Sequence, residues 1–386
     1  MEHLLDYCLT ELQTDAINAY TKHGSYTKAA TALGIKADTL KKRIRRIKVI
    51  AAKAGMAPEA GLTHVTAAGF ATKRVSTLYK EDGSIGVQWH IQEQDKVQQI
   101  ETLVRALDEY VWKPAPVIPH SGLKDADLLT LYTLTDYHLG MYAYAPESGD
   151  AWDHDIASKL AVAAIQKMIQ GSPDSELGIL NIQGDFLHWD GLDAVTPASK
   201  HVLDASTRFG HLVDLSLDFI MGAVELLLGK HSRVRVIICE GNHDLVSSLW
   251  IRKAIAKIFA NNERIEVDQT EFPFYAYLHG KIMIGFHHGH KVKNRSLPAL
   301  FASEPRYRQM WGSAEYTYIH TGHYHHTEQD MAEGGGAIVE RHPTLSSRDA
   351  YSTRGGYTSW RAAHAITYHN ETGECLRVTV TPNVRL

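Results

Sequence analysis

Five clusters of Asp, His and Asn stand out for the chemistry they could do. They are Asp136-Tyr137-His138, Gly184-Asp185-Phe186-Leu187-His188-Trp189-Asp190, Gly241-Asn242-His243-Asp244, His287-His288-Gly289-His290 and Gly322-His323-Tyr324-His325-His326. Carboxylate, imidazole and amide oxygen suit manganese, iron or zinc better than calcium. In an extended segment the i and i+2 side chains point the same way. Asp136 and His138, and likewise His323 and His325, can therefore hold one ion or straddle two. Two ions about 3.5–4 Å apart would neutralise an anionic phosphodiester, lower the pKa of a bridging water and align it for in-line attack. The departing alkoxide needs a proton, which a histidine can supply. His243 adjoins Asn242 and can lie beside an ion without binding it.

These clusters need a scaffold that ends several strands in one place. The pattern predicts strands over 128–135, 177–183 and 234–239, each followed by one of the first three clusters. Helices are expected over 154–171, 199–229 and 245–260. A hairpin over 272–286, turning at His279-Gly280, leads into the histidine run. A strand over 316–320 leads into the last cluster, and a final strand pair turns at 370–373. Open α/β sheets place their chemistry at strand carboxyl ends, so one sheet system can gather all five. Outside the clusters, His279, His320, His364 and His369 are expected to be structural.

The first 55 residues read as three helices. The first, 11–23, closes on Gly24. Ser25 or Thr27 can cap the second, and Asp38 the third. Leu40, Ile44, Ile47 and Ala51 form one apolar stripe. Around it stand Lys41, Lys42, Arg43, Arg45, Arg46 and Lys48, a candidate DNA-binding face. The stretch resembles a helix-turn-helix, whose last helix enters the major groove while its cations supply phosphate attraction. A linker over 57–63, a hairpin over 75–91, a helix over 95–112 and a Pro-rich connector over 113–120 follow. Trp89 and Trp112 are expected in a core rather than stacked on a base. The expected domains are 1–60 (helix-turn-helix), 61–122 (a small α/β connector) and 123–386 (the catalytic domain).

Net charge is −4, which argues against a generic nucleic-acid coat. Residues 1–60 hold ten Lys/Arg and six Asp/Glu, or +4, which leaves −8 for the rest. That asymmetry fits a basic module joined to an acidic one. Cys8, Cys239 and Cys375 show neither zinc spacing nor a disulfide framework, which fits a reducing compartment. No apolar run is long enough to span a bilayer and no signal peptide is seen. The expected location is the cytoplasm, a host's cytoplasm if the chain is phage-encoded.

DYHLG, GDFLHWD, GNHD, HGH and GHYH, in that order, resemble the calcineurin-like metallophosphoesterases. The likeness covers roughly residues 128–326. It implies an α/β sandwich of two β-sheets flanked by helices, and two divalent ions, Mn²⁺ first, with Fe, Zn, Ni or Mg as alternatives. Carried over by residue, Asp136, His138, Asp185 and His325 would hold the first ion. Asp185, Asn242, His288 and His323 would hold the second, with Asp185 bridging. His243 would protonate the leaving oxygen, and Asp244 would orient its ring. His287, His288 and His290 compete for the fourth motif, and His288 is chosen because it begins HGH.

The Asp185-Phe-Leu-His188 spacing resembles the SbcD-like DNA-repair nucleases, in which the histidine helps position the phosphate. The layout also resembles phosphoesterases of phages and prophages. The expected function is a DNA phosphodiesterase, with DNA as partner, no membrane, a homodimer preferred and an ATPase partner unknown. A small-molecule phosphodiesterase or phosphatase is the alternative. A protein phosphatase or a non-catalytic DNA-binding regulator ranks lower.

Overall fold

The computed structural model describes residues 2–58, 62–63, 70–80, 85–94, 124–197, 199–325, 332–358 and 360–383. It divides into two units, Met1–Glu101 and Thr102–Leu386. The expected helix over 95–112 with Trp112, the connector over 113–120, and His326 lie outside the described residues.

The first unit holds α1 (Glu11–His23), α2 (Tyr26–Ala32) and α3 (Ala37–Lys53). Gly24, at φ 64°, lets its N–H close on the Tyr20 carbonyl and ends α1. Leu40, Ile44, Ile47 and Ala51 are fully buried against Ala16, Ile17 and Ala29, so the apolar stripe is the helix–helix seam. Two caps differ from expectation. Lys36 occupies the N-cap of α3, and Asp38 sits in its first turn, where its charge complements the helix dipole. Ser25 starts α2, but its side chain makes no capping bond. Lys41, Lys42, Arg45 and Arg46 are exposed. Arg43 instead donates to the Leu12 carbonyl of α1 at 3.1 Å. Strands β1 (Met56–Ala57) and β2 (Leu62–Thr63) pair, as do β3 (Phe70–Tyr79) and β4 (Ile85–Gln94). Trp89 stands 55% exposed on β4, contrary to the expected core position.

The second unit is built on two sheets. The first has the order β15-β14-β5-β6-β7-β8, with β5 (Asp125–Leu134), β6 (Ser175–Ile182), β7 (Arg233–Ile238), β8 (Ile265–Val267), β14 (Ala363–His369) and β15 (Gly373–Val380). β5 to β8 run parallel, and β14 and β15 are antiparallel additions. The crossovers carry α4 (His154–Gly171), α5 (Phe209–Lys230) and α6 (Leu245–Ile258). The second sheet has the order β12-β13-β11-β10-β9, with β9 (Tyr275–His279), β10 (Ile282–Phe286), β11 (Tyr316–Thr321), β12 (Ala332–Gly334) and β13 (Ala337–Arg341).

Strand alternation explains the layering. On β5, Leu129 and Leu131 face the second sheet, where Ile282, Ile284 and Phe286 meet them. Tyr132 and Leu134 turn the other way, onto α4 and α5. On β10, Met283 faces outward to Leu297 and Phe301. The result is the expected two-sheet sandwich with helices on both outer faces. Parallel strands covered on both faces require near-continuous apolar runs, which these three central strands have.

The expected helix over 199–229 begins only at Phe209. Residues 194–197 and 199–203 form a small hairpin flap instead, with a Val195–Val202 bridge and Leu203 donating to the Ala194 carbonyl at 2.8 Å. Pro197 and the Asp204-Ala-Ser206-Thr207 run work against helix, since proline lacks a donor and short polar side chains compete for backbone bonds. Ser206 Oγ donates to the Gly140 carbonyl at 2.9 Å and so ties the flap's base to the loop after β5. Among the described residues no helix is long and apolar enough to cross a membrane.

Candidate metal centre

β5, β6 and β7 are parallel, so their carboxyl ends open on one edge; β10 and β11 are parallel in the second sheet and do likewise. The loops leaving these five strands carry the five sequence clusters. Asp136, His138 and His325 form one group of mutually close ligand atoms, and Asp185, His288 and His323 another; within each group the atoms lie within 4.8 Å of one another. The groups are contiguous: His288 Nε2 lies 3.1 Å from Asp185 Oδ2 and 3.9 Å from Asp136 Oδ1. Each could hold a divalent ion.

Backbone strain marks the same residues. Asp136, His138, Asp185 and His323 have φ of 48°, 49°, 49° and 74°, the left-handed region that non-glycine residues seldom adopt. Each such residue costs about 1–3 kcal/mol and persists where its surroundings over-determine it, typically at functional sites. The surroundings do so here. Asp136 Oδ2 accepts from Thr135 Oγ1 at 2.6 Å and from the His323 N–H at 2.9 Å, while Thr344 and Ser346 hydroxyls hold its carbonyl at 2.6 and 3.0 Å. That leaves Oδ1 buried with no hydrogen-bond partner. Asn242 Oδ1 and His288 Nε2 are buried without hydrogen-bond partners too. Orphaned acceptors are rare in native proteins and costly. Asp136 Oδ1 and His288 Nε2 lie 3.9 Å apart, and with Asn242 they are the oxygen and nitrogen types of a cation site.

The imidazoles are aimed by their second nitrogens, as metal-ligating histidines usually are. His288 Nδ1 donates to the Gln183 carbonyl at 2.9 Å, which leaves Nε2 toward the carboxylates. His138 Nδ1 meets His188 Nδ1 at 3.3 Å, and its Nε2 lies 3.0 Å from His325 Nε2. Burial and the neighbouring His243 and His325 rings hold His138 well below the usual imidazole range, hence neutral. Burial pulls His288 down as well, but the Asp185 and Asp136 carboxylates override it and push it up to about 10. A proton there balances the two carboxylates, and a divalent ion would replace it. Burial pushes the Asp185 carboxyl up, yet the His288 and His243 rings hold it well below the carboxylate range.

The fourth motif resolves by direction. His287 turns away, stacked on Phe274 at 4.5 Å and accepting from the Gly289 N–H at 2.9 Å. His288 faces Asp185. His290 stays outside both ligand groups, 5.3 Å ring to ring from His288.

Asp244 does not orient the His243 ring. Its carboxylate is buried and accepts four backbone N–H groups, from Asp185 at 3.2, Phe186 at 2.7, Leu187 at 3.2 and Gly241 at 3.0 Å. It locks the two motif loops together, because both loops leave parallel neighbours and aim their amides into the gap between them. His243 is held by other atoms: its Nδ1 donates to the His188 carbonyl at 2.8 Å. Its ring stacks nearly parallel on His188, with centroids 5.6 Å apart. Both rings line a cavity of about 720 Å³, together with His138, His323 and His325.

Several supports had no readable role in the sequence, Asp190 among them although it ends the second cluster. Asp190 accepts from Val246 and Ser247 N–H groups, both at 2.7 Å, and so caps α6 from a loop far away in sequence. Thr344 and Ser346 sit in a stretch without a motif. Adjacency to Asp136 could have flagged Thr135. Two further groups are compact enough for an ion: His138, His188 and His243 beside the proposed centre, and His320, Glu340 and His342. Arg377 already pairs both oxygens of Glu340, and His320 bonds His342 at 2.8 Å and Tyr368 at 3.0 Å. His320 is thus bonded at both nitrogens, as expected for a structural residue, while His342 Nδ1 stays buried without a hydrogen-bond partner. His364 joins the group through Arg377 at 3.2 Å.

No family model and no curated protein matches this chain. Solved structures give faint likenesses. A conserved uncharacterized protein of Streptococcus pneumoniae, described as a predicted phosphoesterase, is 13% identical with a TM-score of 0.26, over 66% of this chain and 97% of that one. A phosphopantetheinyl hydrolase of Mycobacterium tuberculosis is 11% identical with a TM-score of 0.25, over 60% and 93%. A mutant cold-active protein tyrosine phosphatase is 11% identical with a TM-score of 0.23, over 69% and 84%. Likeness at this level does not bear on activity.

Proposed function

We propose that this chain is a metal-dependent phosphodiesterase acting on DNA. The observation that carries the reading is the meeting of two donor groups, Asp136/His138/His325 and Asp185/His288/His323, with orphaned acceptors turned inward. Asp185 is proposed to serve both groups, and Asn242 to complete the second. Divalent ions bound there, Mn²⁺ first, would supply Lewis acidity toward the phosphate and the attacking water.

The chain's own residues do the rest. The His188 carbonyl holds a proton on His243 Nδ1, which leaves Nε2 as the nitrogen that would deliver a proton to the leaving oxygen. His188, which lines the cavity, accepts at Nδ1 from His138 and so carries its own proton on Nε2. Burial and the adjacent His243 push His188 down to about 3, so it is a neutral donor, suited to position a phosphate oxygen rather than to protonate one. DNA is favoured by the exposed Lys41, Lys42, Arg45 and Arg46 on α3, which can supply phosphate attraction, Lys41 being loosely paired with Asp38 at 3.8 Å. A homodimer through the helical unit is part of the proposal. The cavity of about 720 Å³ beside the histidines favours a second reading, a small-molecule phosphodiesterase.

The test is a cleavage assay on metal-stripped protein resupplied with Mn²⁺, with Asp185→Ala beside the wild type. Substrates are end-labelled single- and double-stranded DNA, supercoiled plasmid and bis-p-nitrophenyl phosphate. DNA cutting lost in the variant supports the nuclease. Hydrolysis of the diester with every DNA intact moves the protein to the second reading.

A further inference from the structure

The cavity beside the metal centre has walls that the phosphate chemistry does not need. The flap contributes His201 and Val202, the latter 86% exposed. Tyr324 comes from the loop after β11, and Tyr357 follows a short helix, Ala350–Arg354. Both tyrosines line the cavity, yet they remain 47% and 46% exposed, and Arg341 packs over the Tyr324 ring at 4.6 Å. Asp204 and Ser352 add hydrogen-bonding groups to the lining. A volume of about 720 Å³ lies in the range of small-ligand pockets, about 300–1,000 Å³.

We infer that this recess binds one nucleoside unit of the substrate, with the base resting on Tyr357 and Tyr324 and the phosphate at the histidine floor. The inference rests on the phosphodiesterase reading and names its substrate class. Aromatic walls suit a planar ring, since every base offers a π-face. Polar groups among them suit a heterocycle and a sugar rather than a hydrocarbon. The imidazole floor takes the ester phosphorus. A flap fixed by its own backbone bonds makes the space finite, so the unit is either a free nucleotide ester or a nucleotide at a strand's end.

The test compares kcat/KM of the full chain, with Mn²⁺, on two p-nitrophenyl esters that share a leaving group, that of thymidine monophosphate and that of methyl phosphate. Wild type should favour the thymidine ester about tenfold or more, and Tyr357→Ala and Tyr324→Ala should collapse that ratio, mainly through KM. One base–aromatic stack accounts for about 5- to 150-fold. Equal use of the two esters by the wild type, or a ratio that both variants keep, overturns the inference. Calorimetric binding of thymidine monophosphate against inorganic phosphate provides a readout without turnover. Tyrosine-dependent nucleotide binding with both esters inert would keep the recess and sink the phosphodiesterase reading; no preference for the nucleotide would sink the recess. Release of mononucleotides from a labelled linear strand would assign the unit to a strand end, and turnover of the small ester alone would assign it to free nucleotides.

Discussion

A Cβ placed on Gly241 would sit 2.1 Å from Asp185 Oδ1. That oxygen already accepts the His243 N–H at 2.7 Å, so the GNHD loop is packed directly on the carboxylate of the loop before it. Gly322 does the same one layer away, where a Cβ would meet Thr135 Oγ1 at 2.0 Å and Asp136 Oδ2 at 2.6 Å. The motif glycines are required for close approach: there is no room for a side chain between one motif's backbone and another's ligand.

Gly241→Ala should therefore displace Asp185 and lower metal affinity about 10- to 100-fold, the usual effect of disturbing a ligand's support. Elemental analysis after dialysis against a graded chelator reads the loss. Circular dichroism should show the fold retained, because the clash is confined to the loops.

Asp244→Ala should act on stability. It leaves four buried N–H groups without their acceptor, each costing about 1–3 kcal/mol, so a total of at least about 4 kcal/mol is expected. Urea denaturation measures it. Full stability with slower turnover would instead restore the ring-orienting role that the resemblance implies.

His243→Ala should cut turnover about 10²–10⁴-fold. Its ring is anchored to a carbonyl; it stands close to His138 and His188 but lies in neither of the two ligand groups proposed to hold ions. Metal stoichiometry should therefore stay near wild type. Parallel loss of metal and activity would make it a ligand.

Stability should fall with acid across a window set by buried histidines away from the metal centre. Burial lowers His320 to about 4 and His342 to about 3; the Glu340 charge opposes this without reversing it. Burial also lowers His231 to about 4, and it is bonded to the Tyr132 hydroxyl at 2.9 Å. Each is neutral when folded and titrates near 6.5 when unfolded, so unfolding takes up protons between these values. Stability is thus fully present above about pH 6.5 and is lost as pH falls toward 4, by about 1.4 kcal/mol per pH unit for each proton taken up. Melting of metal-stripped protein between pH 7 and 4.5 checks it; a flat profile would refute the neutral network.

Much of this protein was legible in its sequence. Asp136, His138, His323 and His325 carry their chemistry in residue type, though not through the extended i, i+2 backbone expected, since Asp136, His138 and His323 have φ of 48°, 49° and 74°; apolar runs such as 128–135 announce covered strands. Helices α1 and α4 were readable, since Gly24 closes one and the pattern over 154–171 marks the other; the structure adds its cap, Asp153, which accepts from the Ile156 N–H at 2.8 Å. Local signals of this kind depend on a few neighbouring residues.

Tertiary structure decided what depends on distant partners. Which of His287, His288 and His290 turns inward was settled by Phe274 and Gln183, neither of which adjoins them in sequence. The partner of Asp244 was settled by the gap between two parallel strand ends, where amides need an acceptor more than an imidazole does. The flap over 194–197 and 199–203 replaced an expected helix because cross-chain bonds outweighed its local periodicity. A side chain's neighbours along the chain limit what it can do; its neighbours across the sheet decide which of those things it does.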